Sequence, residues 1–537
     1  MTQSRPHNET DTHAVTNQPE PRGDLNLWAG DAALRDHSFA ADADHLALYG
    51  RKMGRADMRA AGVQVDRHPP EPRLFDAGGR RLDEVTYHPA YHTLMQAGLG
   101  AGYAALPWEG ATGGHSTHAA MVYLTTQTAP GACIPMSMTY AAVPALRASK
   151  ALLADWVPKL TARMYDPSVG PLASKTAATM GLALTEKQGG SDLSGISTRA
   201  VRDGDTYRLR GHKWFCSAPM ADGFLTLAQA PGGLTAFVVP RWCADVRNTV
   251  HIQRLKDTLG NRATACAEIE FADALAHPLG DEGDGLRHVM DMVHHTRLDA
   301  ALAPAGIMRA ALSKAHYWAQ YRSIGQTQLI DKPLMRNVLA DLALDWEATL
   351  ALGLHVARAF DGKREADRAF AHLSVGLAKF MGNKLAPGVV CEAMEALGGM
   401  GYVEDTGLPM LLRDAPLNAL WEGSGNVLCL DILRTLRVTP LSGEVLGREL
   451  GEVTGQYRHY DAALHAHMQR FPHLPDEAQA RWYVASLATL LAASVLMRHA
   501  PTAIAEAYIT TRLSGARGPV AGAISGVDTD AILDRLT

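Results

Sequence analysis

The fold of this chain is decided by the stretch TEKQGGSD at residues 185–192. An apolar run at residues 180–184 precedes it and predicts a buried strand. The two adjacent glycines let the backbone come close to a planar or anionic ligand, and the hydroxyl groups of Thr185 and Ser191 add hydrogen-bond donors. A single threonine of this kind is more often part of a plain polar turn. The whole stretch instead predicts a strand that ends in a ligand-binding turn.

A second motif, WEGSGN at residues 421–426, sets one carboxylate beside a tight turn. A glutamate before a glycine is usually a surface residue, and the residues alone leave that alternative open for Glu422. If the carboxylate is buried, its pKa rises toward the range that suits a general base. The two motifs together predict a cofactor cradle and a lone base, which is what dehydrogenation next to a carbonyl group requires.

Together the two motifs resemble the signatures of the acyl-CoA dehydrogenase superfamily. The residues of the two motifs, TEKQGGSD and LWEGSGNVLCLDILR at residues 420–434, are most similar to those of the AidB branch, the flavoproteins of the bacterial alkylation response. The resemblance implies an α+β fold with an N-terminal helical domain, a middle β domain and a C-terminal four-helix bundle. The AidB branch adds a further C-terminal helical domain. The resemblance also implies FAD as the cofactor, an acyl-CoA or related small substrate, and a homotetramer.

The pattern along the chain agrees with this order of domains. Helical spacing, then short β-branched runs separated by Gly, Pro and Asp, then long amphipathic segments follow one another. The predicted parts are a disordered N-terminus (1–24), a helical domain (25–176), a β domain (177–284), a four-helix bundle (285–439) and a C-terminal helical extension (440–537).

Composition excludes several classes of protein. The chain has 537 residues, 47% of them hydrophobic, and a net charge of −5, so it has no overall bias toward polyanions. Its six cysteines form no Cys-x-x-Cys pair and no His-Glu-x-x-His occurs, so we expect neither a disulfide framework nor a metal site. No apolar run reaches transmembrane length. We therefore expect a cytoplasmic protein that does not bind a membrane.

The resemblance assigns cofactor contacts to residues on five segments. The FAD-binding residues that it implies are Leu182, Leu184, Thr185, Gly190, Ser191, Trp214, Phe215, Cys216, Ser217, Arg322, Gly398, Gly399, Trp421, Gly423, Ser424 and Asn426.

The chain departs from the family pattern at three places. Cys216 stands where the family has a threonine near the flavin N5 atom, so Ser217 is the alternative donor. The glycine after Arg322 comes one residue sooner than in the family, where this arginine reaches the pyrophosphate of a neighbouring subunit's FAD. Glu395 replaces a glutamine that contacts FAD, a change that the AidB branch shares.

The resemblance makes Glu422 the catalytic base, which takes a proton from Cα while a hydride leaves Cβ. The family's other position for the base corresponds here to Thr296, so no carboxylate competes. Arg297, next to it, is the family-typical arginine and is predicted to bind substrate. His294 and His295 replace the acidic residue often found just upstream in members that bind substrate.

The AidB branch is known for binding double-stranded DNA through its C-terminal region. Residues 440–537 contain eight arginines, ten acidic residues and no lysine, a net charge of −2, whereas a duplex-binding surface should be locally basic. A basic patch remains possible if folding gathers the candidate arginines, and the alternative is a solvated helical cap. The nucleic-acid candidates are Arg434, Arg437, Arg512 and Arg517.

Two functions follow from these observations. The first is an alkylation-stress flavoprotein with slow acyl-CoA dehydrogenase activity and non-specific affinity for double-stranded DNA. The second is a metabolic acyl-CoA dehydrogenase whose C-terminal extension is purely structural. Neither the acyl chain length nor the electron acceptor follows from the sequence.

Overall fold

The computed structural model describes residues 11–537, so the first ten residues of the predicted disordered N-terminus lie outside the described residues. The helices are α1 (Ala32–His37), α2 (Ala43–Met53), α3 (Ala56–Arg67), α4 (Pro89–Gly100), α5 (Gly114–Thr128), α6 (Pro130–Leu146), α7 (Lys150–Leu160), α8 (Gly285–Tyr321), α9 (Pro333–Asp361), α10 (Glu365–Ala396), α11 (Leu408–Asp414), α12 (Gly425–Val438), α13 (Pro440–Gly451), α14 (Arg458–Arg470), α15 (Ala480–His499), α16 (Thr502–Arg512) and α17 (Thr529–Leu533). The strands are β1 (Glu71–Phe75), β2 (Arg81–Thr86), β3 (Met180–Ala183), β4 (Arg199–Asp203), β5 (Thr206–Ser217), β6 (Gly223–Ala230), β7 (Gly233–Pro240), β8 (Trp242–Cys243), β9 (Val246–Arg247), β10 (Val250–Leu255), β11 (Cys266–Leu279), β12 (Ser323–Ile324) and β13 (Thr327–Gln328).

The middle of the chain forms a sheet that closes on itself. Its strand order is β10-β11-β7-β6-β3-β5-β4. The long strand β11 pairs with β5 over most of its length and with β7 at residues 277–279. These two pairings close the run of strands from β7 to β5 into a ring. β3 runs parallel to β6 and antiparallel to β5. The strand that leads into the 185–192 turn is therefore fixed on both sides.

The burial of the strands follows from what covers them. β6 and β7 are buried over nearly all of their length, and α6 and α8 pack against this side of the sheet. A strand covered on both faces is apolar throughout. β5 instead alternates between buried and more exposed residues, as a strand with one open face does.

Helices α8, α9, α10 and α12 pack together as the predicted bundle. Its helices approach closely where a small residue permits it: a Cβ on Gly382 of α10 would lie 2.6 Å from the side chain of Thr349 on α9. Nearly every residue of α9 from Leu339 to Ala357 is buried. The bundle is therefore the rigid part of the molecule from which the second motif projects.

Helices α13 to α17 form the C-terminal extension, and α15 packs on α9 and α10. The segment 477–499, which contains α15, is long and apolar enough to span a membrane by length and composition, with a mean hydropathy of 1.4. However, 61% of its most apolar window is buried inside the protein. Its environment is thus that of a helix in a protein core.

Arg535 ties the extension to the first helix and to the bundle. Its Nη2 atom lies 2.7 Å from Glu347 Oε1 on α9 and 2.8 Å from Asp36 Oδ2 on α1. His37 Nε2 lies 3.3 Å from the same Glu347 oxygen. The buried carboxylate of Glu347 therefore has partners from both ends of the described chain.

The N-terminal part differs from the prediction in one element. The sequence predicts no strand before residue 177, but β1 and β2 form an antiparallel hairpin. Most residues of the hairpin are exposed or only partly buried. It consequently lacks the alternation of apolar and polar residues on which a strand prediction depends.

Within the predicted disordered N-terminus, Asn17 and Arg22 form hydrogen bonds with residues 323 and 313, and disorder of this segment stays a prediction. Asn17 Nδ2 donates to the Ser323 carbonyl over 2.9 Å, and Arg22 Nη1 donates to Ser313 Oγ over 2.6 Å. These polar side chains hold the segment against the end of α8. The sequence pattern shows only their polarity, which is equally typical of a solvated tail.

Candidate functional site

The turn at residues 185–192 is held from behind by Glu186, whose side chain is fully buried. The carboxylate accepts hydrogen bonds from the backbone and hydroxyl groups of Ser197 and Thr198. Lys213, also fully buried, places Nζ 2.8 Å from Glu186 Oε1. Burial would raise the pKa of Glu186, but the bonds from Lys213, Ser197 and Thr198 hold it well below its usual range. A buried charge pair with all of its hydrogen bonds made gives the turn a rigid base.

The strands bring several predicted cofactor residues together. Leu182 on β3 faces Ser217 on β5, and the Trp214 N–H donates to the Thr185 carbonyl over 2.7 Å. Gly190 packs directly on Thr185, since a Cβ at residue 190 would lie 2.3 Å from the threonine Oγ1. Residues 182–190 and 214–217, which are separated in the sequence, thus form one continuous surface.

A β-bulge corrects the predicted role of the Cys216 side chain. Trp214 and Phe215 on β5 both stand opposite the single residue Glu268 on β11, so the register shifts there. After the shift, Phe215 is 46% exposed, whereas Cys216 is fully buried in the core of the sheet. Ser217 is only partly buried. The alternative that the sequence left open, Ser217 as the donor, is therefore the one that the geometry favours.

The turn that carries Glu422 is held at three successive carbonyl groups by two buried cations. Lys379 Nζ donates to the carbonyls of Trp421 and Gly423, over 2.9 and 2.8 Å. Arg297 Nε donates to the carbonyl of Glu422 itself over 3.0 Å. The turn needs such support because Glu422 has a φ of +57°, a left-handed conformation that costs a non-glycine residue about 1–2 kcal/mol.

Burial raises the pKa of the Glu422 carboxyl to about 7. The charges of Lys379 and Arg297 and a hydrogen bond from Thr296 act in the opposite direction and limit the rise. A carboxyl group with a pKa near 7 can accept and release a proton at neutral pH. Glu422 as a whole is half-buried, and the raised pKa is what favours a base over a plain surface residue.

Arg297 bonds two segments of the chain itself. Its side chain is 7% exposed, and besides the Glu422 carbonyl it bonds Asp431 on α12, with Nη1 2.7 Å from Oδ2. A guanidinium group engaged in this way holds the turn and the start of α12 together. Direct contact of Arg297 with substrate stays a prediction.

His294 and His295 bring no positive charge to the site. The His294 ring stacks on Phe360 and His372, at centroid distances of 4.6 and 5.2 Å. Burial lowers the pKa of His294 well below its usual value and that of His295 to about 4. Both imidazoles are therefore neutral at pH 7.

The residues predicted to meet a neighbouring subunit lie at the surface of this chain. Arg322 donates to the Asn17 carbonyl over 2.9 Å. Gly398 and Gly399 are exposed, and a Cβ on either would meet no heavy atom within 4 Å. The structure thus leaves these two glycines open to a partner, and it places Arg322 beside the N-terminal segment.

The remaining residues of the second motif have partners within the chain. Trp421 Nε1 donates to Asn418 Oδ1 over 2.8 Å, and Asn426 Oδ1 accepts from Arg481 Nη1 over 3.0 Å. Ser424 precedes the first residue of α12, which follows the turn directly. The motif therefore links the bundle to the C-terminal extension as well as carrying the base.

The four nucleic-acid candidates divide into two pairs. Arg434 and Arg437 on α12 are exposed. Arg512, 8% exposed, instead places Nη2 2.7 Å from Asp341 and 2.8 Å from Asp345, both on α9. Arg517 also lies 3.0 Å from Asp341. The charges of both arginines are thus engaged with buried carboxylates, and their contact with DNA stays a prediction.

A sizeable cavity in the described residues lies away from the two motifs. It measures ≈ 270 Å³ and is lined by Tyr87, Tyr91, Tyr165 and Arg241 among others, between the β1–β2 hairpin, α4 and the sheet. None of the predicted cofactor residues lines it.

Sequence reasoning missed the groups that support both motifs from behind. Lys379 is a lone cation within the apolar run of α10, and that isolation is the signal by which it could have been found. Lys213 and Asp431 are equally inconspicuous in the sequence, since their partners Glu186 and Arg297 lie far away along the chain.

Comparison with known proteins gives matches along most of the chain. Three family models match: the adaptive response protein AidB N-terminal domain at residues 17–167, the acyl-CoA dehydrogenase middle domain at residues 181–274 and the acyl-CoA dehydrogenase C-terminal domain at residues 283–437. AidB of Escherichia coli (strain K12) is 41% identical over 512 residues, which are 94% of either chain. Acyl-CoA dehydrogenase family member 11 of Caenorhabditis elegans is 33% identical over 75% of this chain and 68% of its own length. Among solved structures, that of Caenorhabditis elegans ACDH-11 in complex with C11-CoA superposes with a TM-score of 0.85 at 25% identity, covering 99% of this chain and 98% of that one.

Proposed function

The chain belongs to the acyl-CoA dehydrogenase family, in its AidB branch, and on that premise we propose that it is an FAD-dependent oxidoreductase that removes a proton from Cα and a hydride from Cβ of an acyl-CoA thioester. The single observation that carries the proposal is the Glu422 carboxyl, which lies on a turn whose three carbonyls are fixed and has a pKa that burial raises to about 7.

The residues of the first motif fit FAD, the cofactor of this family. Thr185 and Ser191 offer hydroxyl donors on a turn made rigid by Glu186, and Gly190 keeps the backbone close to Thr185. The bulge leaves the Phe215 ring on the open face of β5. When bound, FAD supplies the acceptor for the hydride that leaves Cβ.

In the proposed reaction Glu422 takes the Cα proton on one of its carboxylate oxygens. Its pKa of about 7 leaves a large ionised fraction at neutral pH and still makes the group basic enough to accept the proton. The hydrogen bonds that Arg297 and Lys379 donate to the turn go to backbone carbonyls, so they fix its backbone without occupying the carboxylate oxygens. The reaction needs a base in a fixed direction, because the proton and the hydride leave from adjacent carbon atoms.

The purified protein should be yellow, and a panel of acyl-CoA thioesters of different length tests the proposal directly. We expect at least one thioester to bleach the flavin absorbance under anaerobic conditions at a catalytically useful rate. A protein that holds FAD but is bleached by none of them would refute the dehydrogenase reaction. Bound FMN instead of FAD would refute the cofactor assignment.

We also propose a homotetramer in which a neighbouring subunit approaches Gly398 and Gly399. Three large apolar side chains beside these glycines face the solvent: Tyr402 is 85% exposed, and Met400 and Val403 are also exposed. An exposed apolar patch of this kind is typical of a protein–protein interface. Sedimentation of the FAD-loaded protein tests this, and a monomer that holds FAD normally would contradict it.

All six cysteines are free thiols, which supports a location in the cytoplasm.

The role in the alkylation response, with slow turnover and binding to duplex DNA, rests on a narrower basis. Of the four candidate arginines, Arg434 and Arg437 are exposed, and they lie on α12 directly after the motif that contains Glu422. If they contact phosphates, replacing both by alanine should reduce the slope of log affinity against log salt by about two units. An unchanged slope, or no affinity at low salt, would leave a metabolic dehydrogenase with a structural C-terminal extension as the function.

A further inference from the structure

Lys379 is a buried cation in an apolar helix. Its side chain is fully buried in the middle of α10, between Ala378 and Phe380, which are themselves buried. Within the described part of the chain, no carboxylate oxygen lies within 4 Å of its Nζ atom. Burial of an ammonium group without a counter-ion at contact distance is unfavourable, so its hydrogen bonds must account for its presence.

Both of its hydrogen bonds go to the turn that carries Glu422. The acceptors are the carbonyls of Trp421 and Gly423, the residues on either side of the glutamate, at 2.9 and 2.8 Å. Between them Glu422 has a φ of +57°, and Gly423 follows at +101°. A glutamate rarely adopts this left-handed conformation unless its surroundings hold it there, and the ammonium group bonds the backbone on both sides of it.

We infer that Lys379 is a positioning residue for the proposed base: by bonding both flanking carbonyls, it holds the left-handed turn that gives the Glu422 carboxylate its direction. The inference rests on the proposed function, since it concerns the same reaction. It goes beyond that function because it makes a residue of α10 responsible for the orientation of the Glu422 side chain. In the proposed reaction this residue touches neither substrate nor FAD.

The groups around Glu422 make the effect measurable as a change of pH dependence. Helix α8 contributes Thr296 and Arg297, α10 contributes Lys379, and Asp431 on α12 is bound to Arg297. Lys379 and Arg297 both lower the Glu422 pKa from the value that burial alone would give. In turn, burial lowers the pKa of Lys379 to about 7, and the Glu422 charge raises it. Loss of the ammonium group therefore raises the pKa of the base.

The test compares Lys379→Met with Lys314→Met in the FAD-loaded protein. Lys314 is a suitable control because it is a partly buried lysine on α8 whose pKa burial also lowers, to about 8, and because it has no bond to the 421–423 turn. For Lys379→Met we expect acyl-CoA bleaching at pH 7 to slow at least tenfold and its half-maximal pH to rise by about one unit, as for removal of a nearby opposite charge. Lys314→Met should keep the wild-type rate and pH profile.

A crystal structure of the Lys379→Met protein supplies a readout that does not depend on turnover. We expect Glu422 to leave the left-handed region when the two bonds are lost. The inference is supported only if the turn changes and the pH profile moves to higher pH; a retained φ near +57°, or an unchanged profile, overturns it. A merely structural lysine would lower the melting temperature and leave the pH profile where it is.

The two hypotheses fail in different ways. If the wild-type protein is bleached by no thioester, the proposed function fails, and the crystal structure alone then decides whether Lys379 holds the turn. If the wild type is bleached normally and Lys379→Met behaves like Lys314→Met, only the inference fails. Should Lys379→Met not fold, the shorter and neutral Lys379→Gln is judged by the same two measurements and the same criteria.

Discussion

Replacement of Glu422 by glutamine should abolish the reaction and at the same time stabilise the fold. The amide keeps the size and shape of the side chain but cannot take the Cα proton. Removal of a general base reduces a rate by about a hundredfold or more, so we expect at least that loss in acyl-CoA bleaching. The spectrum of bound FAD should be nearly unchanged.

The stabilisation follows from the raised pKa. Burial moves the carboxyl pKa from its ordinary 4.5 to about 7 in the folded protein, so the folded state binds this proton more tightly than the unfolded state. The stability that this proton gives is fully present below pH 4.5 and is lost as the pH rises through 7. Above that pH the fold contains an ionised, buried carboxylate, at a cost of roughly 3 kcal/mol for a shift of this size. Glutamine removes this cost.

Urea unfolding of both proteins at pH 5 and at pH 8 measures the effect. We expect Glu422→Gln to be more stable than the wild type at pH 8 by up to about 3 kcal/mol, and the difference to be much smaller at pH 5. The pH profile of wild-type bleaching should rise through about 7, where the base ionises. Equal stabilities at pH 8 would refute the burial of an ionised carboxylate, and unchanged bleaching would refute the role of Glu422 as base.

Two further predictions concern the supports of the site. Gly190→Ala places a Cβ 2.3 Å from Thr185 Oγ1, and a clash of this kind costs about 1–3 kcal/mol. FAD should therefore dissociate at least several-fold more readily from this variant in a dialysis assay. Gly195→Ala is the control: its Cβ meets nothing within 4 Å, so it should retain FAD as the wild type does. Arg512→Met leaves two buried aspartates of α9 with a weaker counter-charge, and breaking such a pair costs about 3–5 kcal/mol. The midpoint of thermal unfolding should therefore be clearly lower. An unchanged midpoint would contradict the structural role of this arginine.

The sequence predicted the family and the fold, and both are confirmed. The reason is that the deciding signals are local. The strand before Thr185, the glycines after it and the turn around Glu422 are each readable within a few residues, and the spacing of the apolar residues predicts the helices of the bundle.

The sequence did not predict which side chains hold these local elements in place, because their partners come from distant segments. Lys379 and Glu422 meet only when α10 packs beside the start of α12. The inward direction of Cys216 depends on a bulge that arises from pairing with β11, and no pattern within β5 indicates it. Arg512 is a similar case, since its charge suggested a surface and its position on α16 gives it buried partners on α9.

The bonds of Arg535 have a consequence for synthesis of the protein on the ribosome. Glu347 is buried on α9, and its guanidinium partner lies 188 residues later in the chain. While the bundle is being made, this carboxylate has His37 beside it but not Arg535, so the junction of α1 with α9 contains an incompletely neutralised charge. That junction therefore gains its full stability only after the C-terminal extension has emerged and docked. A nascent chain stalled before residue 535 should consequently be more sensitive to protease around α1 than the released protein.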